Sequence, residues 1–226
     1  MTDRIQVLLI GAKGRMGQTI IDLAKIDPKI EITGRCDLGD PIEPAMKNCD
    51  VAIDFSNASA IEEVCSAAVN GCTALVIGTT GHSSEQRHLI ESAARSLPIV
   101  FASNFSVGVN ALFALTCRAA EILGSEFVAR ITETHHTNKK DAPSGTAKTL
   151  GELLVQAGKS DVPIQSIREG EVVGEHTVVF VGPEERLELT HRAGSREIFA
   201  RGALRAAGWV VGKPARLYSM QDVLGL

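Results

Sequence analysis

The sequence predicts an α/β fold in which a doubly wound parallel sheet is followed by a second α+β domain that carries a mixed sheet. In the first half of the chain, short apolar runs alternate with longer helical patterns. A glycine-rich segment separates the first apolar run from the first helical pattern. After about residue 107, one long helical pattern is followed by closely spaced strand-like runs.

The first half contains five predicted strands. Ile5–Ile10 is apolar and has the length of a buried strand, and Gln18–Ile26 has the spacing of a helix that stops at Asp27-Pro28. The other elements are strands at Glu31–Cys36, Val51–Phe55, Leu75–Ile77 and Pro98–Ala102, a helix to about Val69 and a helix near Ser84–Ser96. Strands that alternate with helices pair in parallel, so their carboxyl ends should meet at one edge of the sheet.

The second half has a different rhythm. Its predicted elements are helices at Val107–Leu123, Thr146–Ala157 and about Ser195–Ala207, and strands at Phe127–Thr134, Ile164–Arg168, Val172–Val181 and Leu187–Arg192. The turn signal V-G-P-E-E at 181–185 favours antiparallel pairing of the last two strands. These patterns predict a first domain of residues 1–106 completed by residues 207–226, with residues 107–206 inserted as the second domain.

The composition narrows the function classes. The chain has 226 residues, a formal net charge of −4 and 44% hydrophobic residues, which is typical of a globular protein. With 4% aromatic residues and no excess of basic ones, it lacks the features of a nucleic-acid-binding surface. The sequence has no run of about 18 apolar residues, so no membrane-spanning segment is expected. Five cysteines without a C-x-x-C pair favour buried thiols in a reducing, cytoplasmic setting, and no metal site is expected.

The glycine-rich segment has the context of a dinucleotide-binding fingerprint. It runs from Gly11 to Gly17 with the spacing G-x-x-G-x-x-G, between a predicted strand and a predicted helix. Asp37 follows about 20 residues later, where a carboxylate accepts hydrogen bonds from a ribose. An ordinary strand-turn-helix with packing glycines is the alternative. The pattern favours a Rossmann-like dinucleotide site, whose candidate residues here are Gly11, Ala12, Lys13, Gly14, Arg15 and Met16.

Two further loops follow predicted parallel strands. Because ligands of such sheets bind outside the carboxyl ends of the strands, both loops are placed to meet the nicotinamide end of the cofactor. Each loop alone would be an ordinary turn. The candidate residues are Gly78, Thr79 and Thr80 in the first loop and Ala102, Ser103, Asn104 and Phe105 in the second.

A dense polar segment begins at residue 133. Adjacent histidines, His135 and His136, are followed by Lys139, and then Pro-Ser-Gly-Thr opens a predicted helix. Two imidazoles without a nearby cysteine make a weak metal site, and a solvated basic turn remains an alternative. The functional interpretation is an anion site with a charge from Lys139, donors at the helix start and a histidine that delivers a proton near neutral pH. The helix-start donors are those of Ser144, Gly145 and Thr146.

Six segments carry a resemblance to one enzyme family. They are GAKGRMG at 11–17, VAIDFS at 51–56, GTTG at 78–81, ASNFSVGVN at 102–110, ETHHTNKKDAPSGTA at 133–147 and VGEHTV at 173–178. They are spread over most of the chain, and the block E-x-H-H-x-x-K-x-D-A-P-S-G-T is highly specific. On these segments the sequence resembles the 4-hydroxy-tetrahydrodipicolinate reductase (dihydrodipicolinate reductase) family of the diaminopimelate branch of lysine synthesis.

The resemblance implies a reaction and a set of roles. Hydride from NADH or NADPH would reduce 4-hydroxy-tetrahydrodipicolinate (dihydrodipicolinate) to tetrahydrodipicolinate. By position, His135 is implied as the general acid, Lys139 as the charge that holds a carboxylate and assists proton transfer, and His136 as a substrate contact. The start of the helix, with Gly145 and Thr146, is implied to bind a substrate carboxylate. The resemblance also implies a homotetramer that closes through the sheet of the second domain.

The sequence departs from the family at the adenosine end. The chain is shortened between residues 36 and 51, and Lys13 stands where other members often have Gly. Leu38 follows Asp37 where some members carry Arg, so no cation offsets repulsion between Asp37 and the extra phosphate of NADPH. NADH is therefore expected to serve at least as well. Two other functions stay open: a reductase of another small dicarboxylate or semialdehyde, and a non-catalytic NAD-binding redox regulator, which would need a basic DNA-reading module.

Overall fold

The chain divides into two units in the computed structural model, which describes residues 4–226. The first unit is Met1–Ser106 with Glu197–Leu226, and the second is Val107–Arg196. The strands are β1 (Ile5–Ile10), β2 (Ile30–Cys36), β3 (Val51–Asp54), β4 (Ala74–Ile77), β5 (Pro98–Phe101), β6 (Val128–His135), β7 (Ile164–Arg168), β8 (Glu175–Val181), β9 (Arg186–Arg192) and β10 (Arg216–Tyr218). The helices are α1 (Arg15–Ala24), α2 (Ile42–Met46), α3 (Ile61–Gly71), α4 (Ser84–Ala93), α5 (Val107–Leu123), α6 (Gly145–Gln156), α7 (Glu197–Val210) and α8 (Met220–Leu224).

Six parallel strands form the sheet of the first unit, in the order β10-β5-β4-β3-β1-β2. Successive side chains of a strand point to opposite faces, so each central strand feeds two cores. On one face Leu9 of β1 packs in a cluster with Ile20 of α1 and Ala203 of α7. On the other face Leu8 packs in a cluster with Ile61 of α3 and with α4. The predicted doubly wound parallel sheet is confirmed.

The end of the chain differs from the prediction. The inward face of α7, with Ala200, Ala203 and Ala207, is fully buried in the core of the first unit. The chain therefore returns to the first unit at Glu197 and not at residue 207. Strand β10 is also absent from the sequence prediction, because an edge strand of three residues leaves no apolar run to detect.

A mixed sheet forms the second unit, in the order β7-β6-β8-β9. Strands β6 and β7 are parallel, and the other two pairs are antiparallel. Ile131 of β6 and Phe180 of β8 pack in one core cluster with Leu112 of α5 and Leu150 of α6. Because side chains repeat every two residues along a strand, the buried face of β6 continues past Ile131 to Glu133. The predicted α+β domain with a mixed sheet is confirmed.

One helical stretch of the described chain, Val107–Glu126, is long and apolar enough to span a membrane by length and composition, with a mean hydropathy of 1.3. It consists of α5 and the 3₁₀ turn Gly124–Glu126. Its Leu112, Ala119 and Ala120 pack in the core of the second unit. Packing of this kind is typical of a core helix in a globular domain.

Candidate active site

The glycine loop joins β1 to α1 at the carboxyl edge of the first sheet. Gly11 has a φ of +83°, and a Cβ there would lie 2.4 Å from the carbonyl oxygen of Phe55. A Cβ on Gly17 would lie 2.3 Å from the carbonyl oxygen of Gly11, so glycine is required for α1 to start this close to the loop. Gly14 is the N-cap of α1 and gives no side-chain cap. The first N–H groups of α1 therefore suit an anion such as a pyrophosphate.

Asp37 follows β2 and lies beside the glycine loop. Its carboxylate oxygens accept hydrogen bonds from the backbone N–H of Lys13 at 3.1 and 3.2 Å. The adjacent Leu38 is fully exposed and uncharged. Asp37, which is predicted as a cofactor residue from its spacing, therefore lies next to the glycine loop.

Three cavities lie along this edge of the first unit. One of about 380 Å³ is lined by residues that include Gly11, Asp37 and Phe55. A second of about 420 Å³ is lined by Phe55 and Thr80 among others, and a third of about 230 Å³ by Phe55 and Asn104 among others. Because Phe55 borders all three, the cavities form a row. A row outside the carboxyl ends of parallel strands fits an extended dinucleotide.

Both predicted nicotinamide loops lie on this row. Thr79 is buried and its N–H donates to the Asp54 carbonyl at 3.2 Å. A Cβ on Gly78 would lie 2.2 Å from the ring of Phe55, so the ring packs directly on the loop. In the other loop, the Asn104 side chain accepts a hydrogen bond of 2.8 Å from a backbone N–H two residues on. The remaining predicted cofactor residues on the three loops are Ala12, Arg15, Met16, Ala102, Ser103 and Phe105.

Two polar residues at the end of β3, Asp54 and Ser56, are not among the predicted site residues. Asp54 is fully buried, and its Oδ1 accepts a hydrogen bond of 3.0 Å from the Ser56 N–H. Burial raises the pKa of Asp54, and the hydrogen bonds from Ser56 and Thr79 only partly oppose the shift. The signal that identifies these residues is their position, since β3 is a central strand whose carboxyl end lies between the loops already predicted.

In the second unit, one buried carboxylate joins several elements. Glu133 of β6 is fully buried, and its Oε2 contacts Nδ1 of His135. Its Oε1 accepts hydrogen bonds from Arg168 Nη2 of β7 at 2.9 Å and from the Ser144 N–H at 3.3 Å. Burial raises the pKa of Glu133, but the hydrogen bonds from Arg168 and His135 outweigh it and hold the pKa below its ordinary value. The carboxylate is therefore ionised at neutral pH.

Two imidazoles lie beside this carboxylate. The rings of His135 and His176 are 5.1 Å apart and meet edge to face. Burial lowers the pKa of His176 to about 4. Burial also lowers the pKa of His135, although the hydrogen bond and charge of Glu133 oppose the shift. A lowered pKa makes the protonated form of His135 a stronger acid, as proton delivery requires.

Helix α6 begins at this cluster. Ser144 is its N-cap: Oγ accepts a hydrogen bond of 3.2 Å from the N–H three residues on and lies 3.1 Å from Nε2 of His176. The Oγ and the N–H of Ser144 both form hydrogen bonds inside the unit, and Ser144 caps the start of α6. Its role as a donor to the substrate stays a prediction. Beside Gly145 the space is open, because a Cβ there would meet nothing within 4 Å. Gly145 and Thr146 provide the first N–H groups of the helix.

Lys139 and His136 lie on the segment between β6 and α6. The ammonium of Lys139 is 2.8 Å from Asp141 Oδ1, and the Lys139 side chain is 22% exposed. The backbone N–H of His136 donates to the Val172 carbonyl at 2.7 Å, which anchors the segment. The cation predicted to hold a carboxylate is therefore accessible and already faces one carboxylate.

The ligand-type atoms of Glu133, His135 and His176 lie within 4.8 Å of one another. A divalent cation would need these atoms free, yet both oxygens of Glu133 are hydrogen-bonded and one of them faces the cation of Arg168. These three side chains are therefore better suited to a hydrogen-bond network that exchanges protons than to a metal site.

Comparison with known proteins identifies the family. The N-terminus of dihydrodipicolinate reductase matches residues 5–105, and the C-terminus of dihydrodipicolinate reductase matches residues 108–224. The chain belongs to the dihydrodipicolinate reductase family. A 4-hydroxy-tetrahydrodipicolinate reductase of Akkermansia muciniphila is 47% identical over an alignment of 242 positions, gaps included, which covers 98% of each chain. One of Methanoculleus marisnigri is 43% identical over an alignment of 253 positions, gaps included, which covers 98% of this chain and 100% of the relative.

Solved structures share the fold of this dihydrodipicolinate reductase family member. A dipicolinate-bound dihydrodipicolinate reductase from Paenisporosarcina sp. TG-14 has a TM-score of 0.84 at 20% identity, with 97% of this chain and 99% of that chain covered. A probable dehydrogenase from Thermotoga maritima has a TM-score of 0.62 at 12% identity, with 97% and 92% covered. At these identities the likeness concerns the fold alone.

The predicted residues of this family member form two groups. The loop residues lie along one edge of the first unit, whereas His135 and Ser144 contact Glu133 in the second. His136 and Lys139 lie on the segment between these two residues, and Gly145 and Thr146 begin α6. Sequence reasoning gave no role to Glu133, His176 or Arg168. The signal for His176 is the segment VGEHTV at 173–178. Arg168 has no local signal, because it reaches Glu133 only through the pairing of β6 with β7.

Proposed function

We propose that the chain reduces 4-hydroxy-tetrahydrodipicolinate to tetrahydrodipicolinate in the cytoplasm, in the diaminopimelate branch of lysine synthesis. Membership of the family makes it an NAD(P)H-dependent oxidoreductase. The observation that carries the proposal is the cluster around Glu133, in which the imidazole of His135 belongs to the same unit as the Lys139 cation and the start of α6. We assign the role of proton donor to His135. A protein that only bound a dinucleotide would need none of these groups.

The first unit supplies the cofactor site in this proposal. When bound, NADH or NADPH supplies the hydride. We assign residues 11–16 to the pyrophosphate, Asp37 to the adenosine ribose, and the loops at 78–80 and 102–105 to the nicotinamide end. The glycine positions that no Cβ can occupy and the row of cavities along the sheet edge support this assignment.

The second unit supplies the substrate groups. A ring with two carboxylates is costly to bury without donors and positive charge. Lys139 offers the charge, the helix start at Gly145 and Thr146 offers the donors, and His136 adds a further contact. The dipicolinate-bound relative from Paenisporosarcina supports a ring dicarboxylate as the ligand class. After hydride addition has built negative charge on the ring, His135 delivers the proton.

The decisive experiment is turnover. The chain is mixed with NADH and freshly made cyclic substrate, and the absorbance of the reduced nicotinamide is followed. We expect substrate-dependent loss of absorbance in the wild type and a much slower loss in His135→Gln. Binding of NADH without consumption would favour a redox regulator. Consumption with another small dicarboxylate or semialdehyde, but not with this substrate, would favour the other reductase.

We also propose a homotetramer closed by the sheet of the second unit. Val178 and Phe180 of β8 are buried in the core with α5 and α6, so they offer no apolar surface to a partner. The opposite face of the sheet includes Val128, which is 57% exposed, and the exposed Arg130. A partner would therefore pack on a mixed surface, and the family resemblance is the main support. Sedimentation at micromolar concentration should show a closed oligomer that Val128→Glu weakens, and a stable wild-type monomer would contradict it.

A further inference from the structure

Glu133 has an environment that decides where the proton of His135 resides. Its Oε1 accepts a hydrogen bond of 2.9 Å from Nη2 of Arg168. A guanidinium only donates hydrogen bonds, so the carboxylate must be the acceptor in this contact. The same oxygen accepts from the Ser144 N–H at 3.3 Å. The carboxylate is therefore ionised and can only accept at Oε2, where Nδ1 of His135 meets it.

This contact leaves one tautomer for the neutral imidazole. Because an ionised carboxylate has no proton to give, Nδ1 of His135 must carry the proton in the contact with Glu133. The second nitrogen, Nε2, is then the atom that can take up and release a proton. The other charged or titratable groups around the ring are Arg168 from β7, His176 from β8 and Lys139 from the loop after β6.

The position next to Nε2 is kept free of a side chain. A Cβ on Gly174 would lie 3.1 Å from Nε2 of His135 and 3.4 Å from its Cδ2. Gly174 is not one of the described glycines that have a positive φ. Its backbone conformation therefore does not require glycine. The missing side chain instead leaves room beside the nitrogen that has to exchange the proton.

We propose that Glu133 is a positioning residue that fixes the proton of His135 on Nδ1, so that Nε2 delivers the reaction proton, and that Gly174 keeps Nε2 accessible. The inference rests on the proposed function, because it names the atom of His135 that acts in that reaction. Glu133 is fully buried, so in this proposal it acts only through the imidazole.

The first test reads the tautomer without any turnover. In histidine-labelled protein, ¹⁵N shifts should show the Nδ1–H form for His135 in the wild type. In Glu133→Gln, the amide oxygen stays on Arg168 and Ser144, so the amide NH₂ faces Nδ1 and the proton moves to Nε2. The Nε2–H form in the wild type would overturn the proposal, whether or not the protein turns over the substrate.

The second test reads the chemistry. In Glu133→Gln, we expect kcat to fall by about 10- to 1,000-fold, while the KM for NADH is unchanged. The alkaline limb of the kcat profile, where His135 loses its proton, should move to lower pH because the imidazolium loses its anionic partner. Glu175→Gln is the matched control, since it removes a carboxylate of β8 that pairs with Arg192 at 2.8 Å. It should leave kcat and its pH profile unchanged.

Gly174→Ala covers the case in which Glu133→Gln does not fold. It should lower kcat and leave both the Nδ1–H tautomer and the KM for NADH as in the wild type. A purely structural role for Glu133 predicts a lower melting temperature with an unchanged tautomer and pH profile, and that result would overturn the proposal. A wild type with the Nδ1–H tautomer but no turnover would instead contradict the proposed function alone.

Discussion

The two units build their candidate sites from different material. In the first unit the site is mainly backbone: glycines at 11 and 17 let one loop and one helix approach closely, and α1 begins there without a side-chain cap. In the second unit the site is a cluster of side chains from β6, β7 and β8 around Glu133, joined by the backbone N–H of Ser144 at the start of α6. A backbone site is encoded over a few consecutive residues, whereas a side-chain cluster depends on strand pairing. The two sites should therefore fail in different ways.

Removal of the proton donor is expected to have the largest effect and to separate the two units most clearly. His135→Gln should lower kcat by about 10²–10⁴-fold, because the proton then has to come from a poorer donor. The affinity for NADH, measured by titration, should stay at the wild-type value because the cofactor loops belong to the first unit. The exposed His88 supplies the control, and His88→Gln should change neither quantity. Wild-type turnover by His135→Gln would mean that another group or water gives the proton.

Acid should destabilise the second unit through His176. The pKa of this group is about 4 in the folded protein because of burial, against about 6.5 when unfolded. The unfolded state therefore binds more protons between these values, so the stability is fully present above pH 6.5 and falls by about 3 kcal/mol as the pH drops to 4. Asp54 in the first unit acts with the opposite sign, since its pKa is raised by burial.

Hydrogen exchange of the second unit and fluorescence of Trp209, the single tryptophan, can follow the two units separately in urea between pH 4 and pH 7. His176→Gln should flatten the pH dependence of the second unit and leave that of the first unit unchanged. An equal loss of stability at low pH in this variant would remove His176 as the cause.

Loss of the Lys139 charge should affect the substrate side alone. Lys139→Ala should lower kcat and weaken a planar dicarboxylate inhibitor such as dipicolinate by about 1.5–3 kcal/mol, because a charge-assisted hydrogen bond is lost. Calorimetry measures the affinity for the inhibitor, and fluorescence measures the affinity for NADH. Lys140→Ala removes a neighbouring exposed lysine and should do neither. If the two variants weaken inhibitor binding equally, the effect comes from long-range electrostatic attraction and not from a contact of Lys139.

The same contrast explains what the sequence could predict. The central strands and the glycine loop are local patterns, so the parallel sheet and its cofactor edge follow from them. Strand β10 has only three residues, and the return of the chain at Glu197 depends on which sheet α7 covers. In the second unit, the block at 133–146 marks the site. The role of Glu133, however, requires Arg168 and His176, whose approach depends on the pairing of β6 with β7 and β8.

The addition of one methyl group should be enough to disrupt the glycine loop of the first unit. In Gly17→Ala the new Cβ would lie 2.3 Å from the Gly11 carbonyl oxygen, so the loop or the start of α1 must shift. We expect a loss of about 1–3 kcal/mol in unfolding free energy and weaker NADH binding. Gly208→Ala in α7 is the control, because the nearest atom to its Cβ would be 4.0 Å away. That helix substitution should leave NADH binding unchanged and raise stability slightly.

The smallest effect concerns Asp37, the acidic side chain that accepts hydrogen bonds from the glycine loop. Its carboxylate can accept hydrogen bonds from a ribose and repels a ribose phosphate, while Leu38 offers no positive charge. The wild type should therefore use NADH at least as well as NADPH, as measured by the ratio of kcat/KM. Asp37→Asn should lower kcat/KM for NADH by about 2- to 10-fold and affect NADPH less, because one hydrogen-bonding charge is lost. Glu63→Gln removes another carboxylate of the same cavity and should leave NADH use unchanged. A clear preference of the wild type for NADPH would mean that Lys13 or Arg15 binds the extra phosphate of NADPH. The glycine loop, and not Asp37, would then discriminate between the two cofactors.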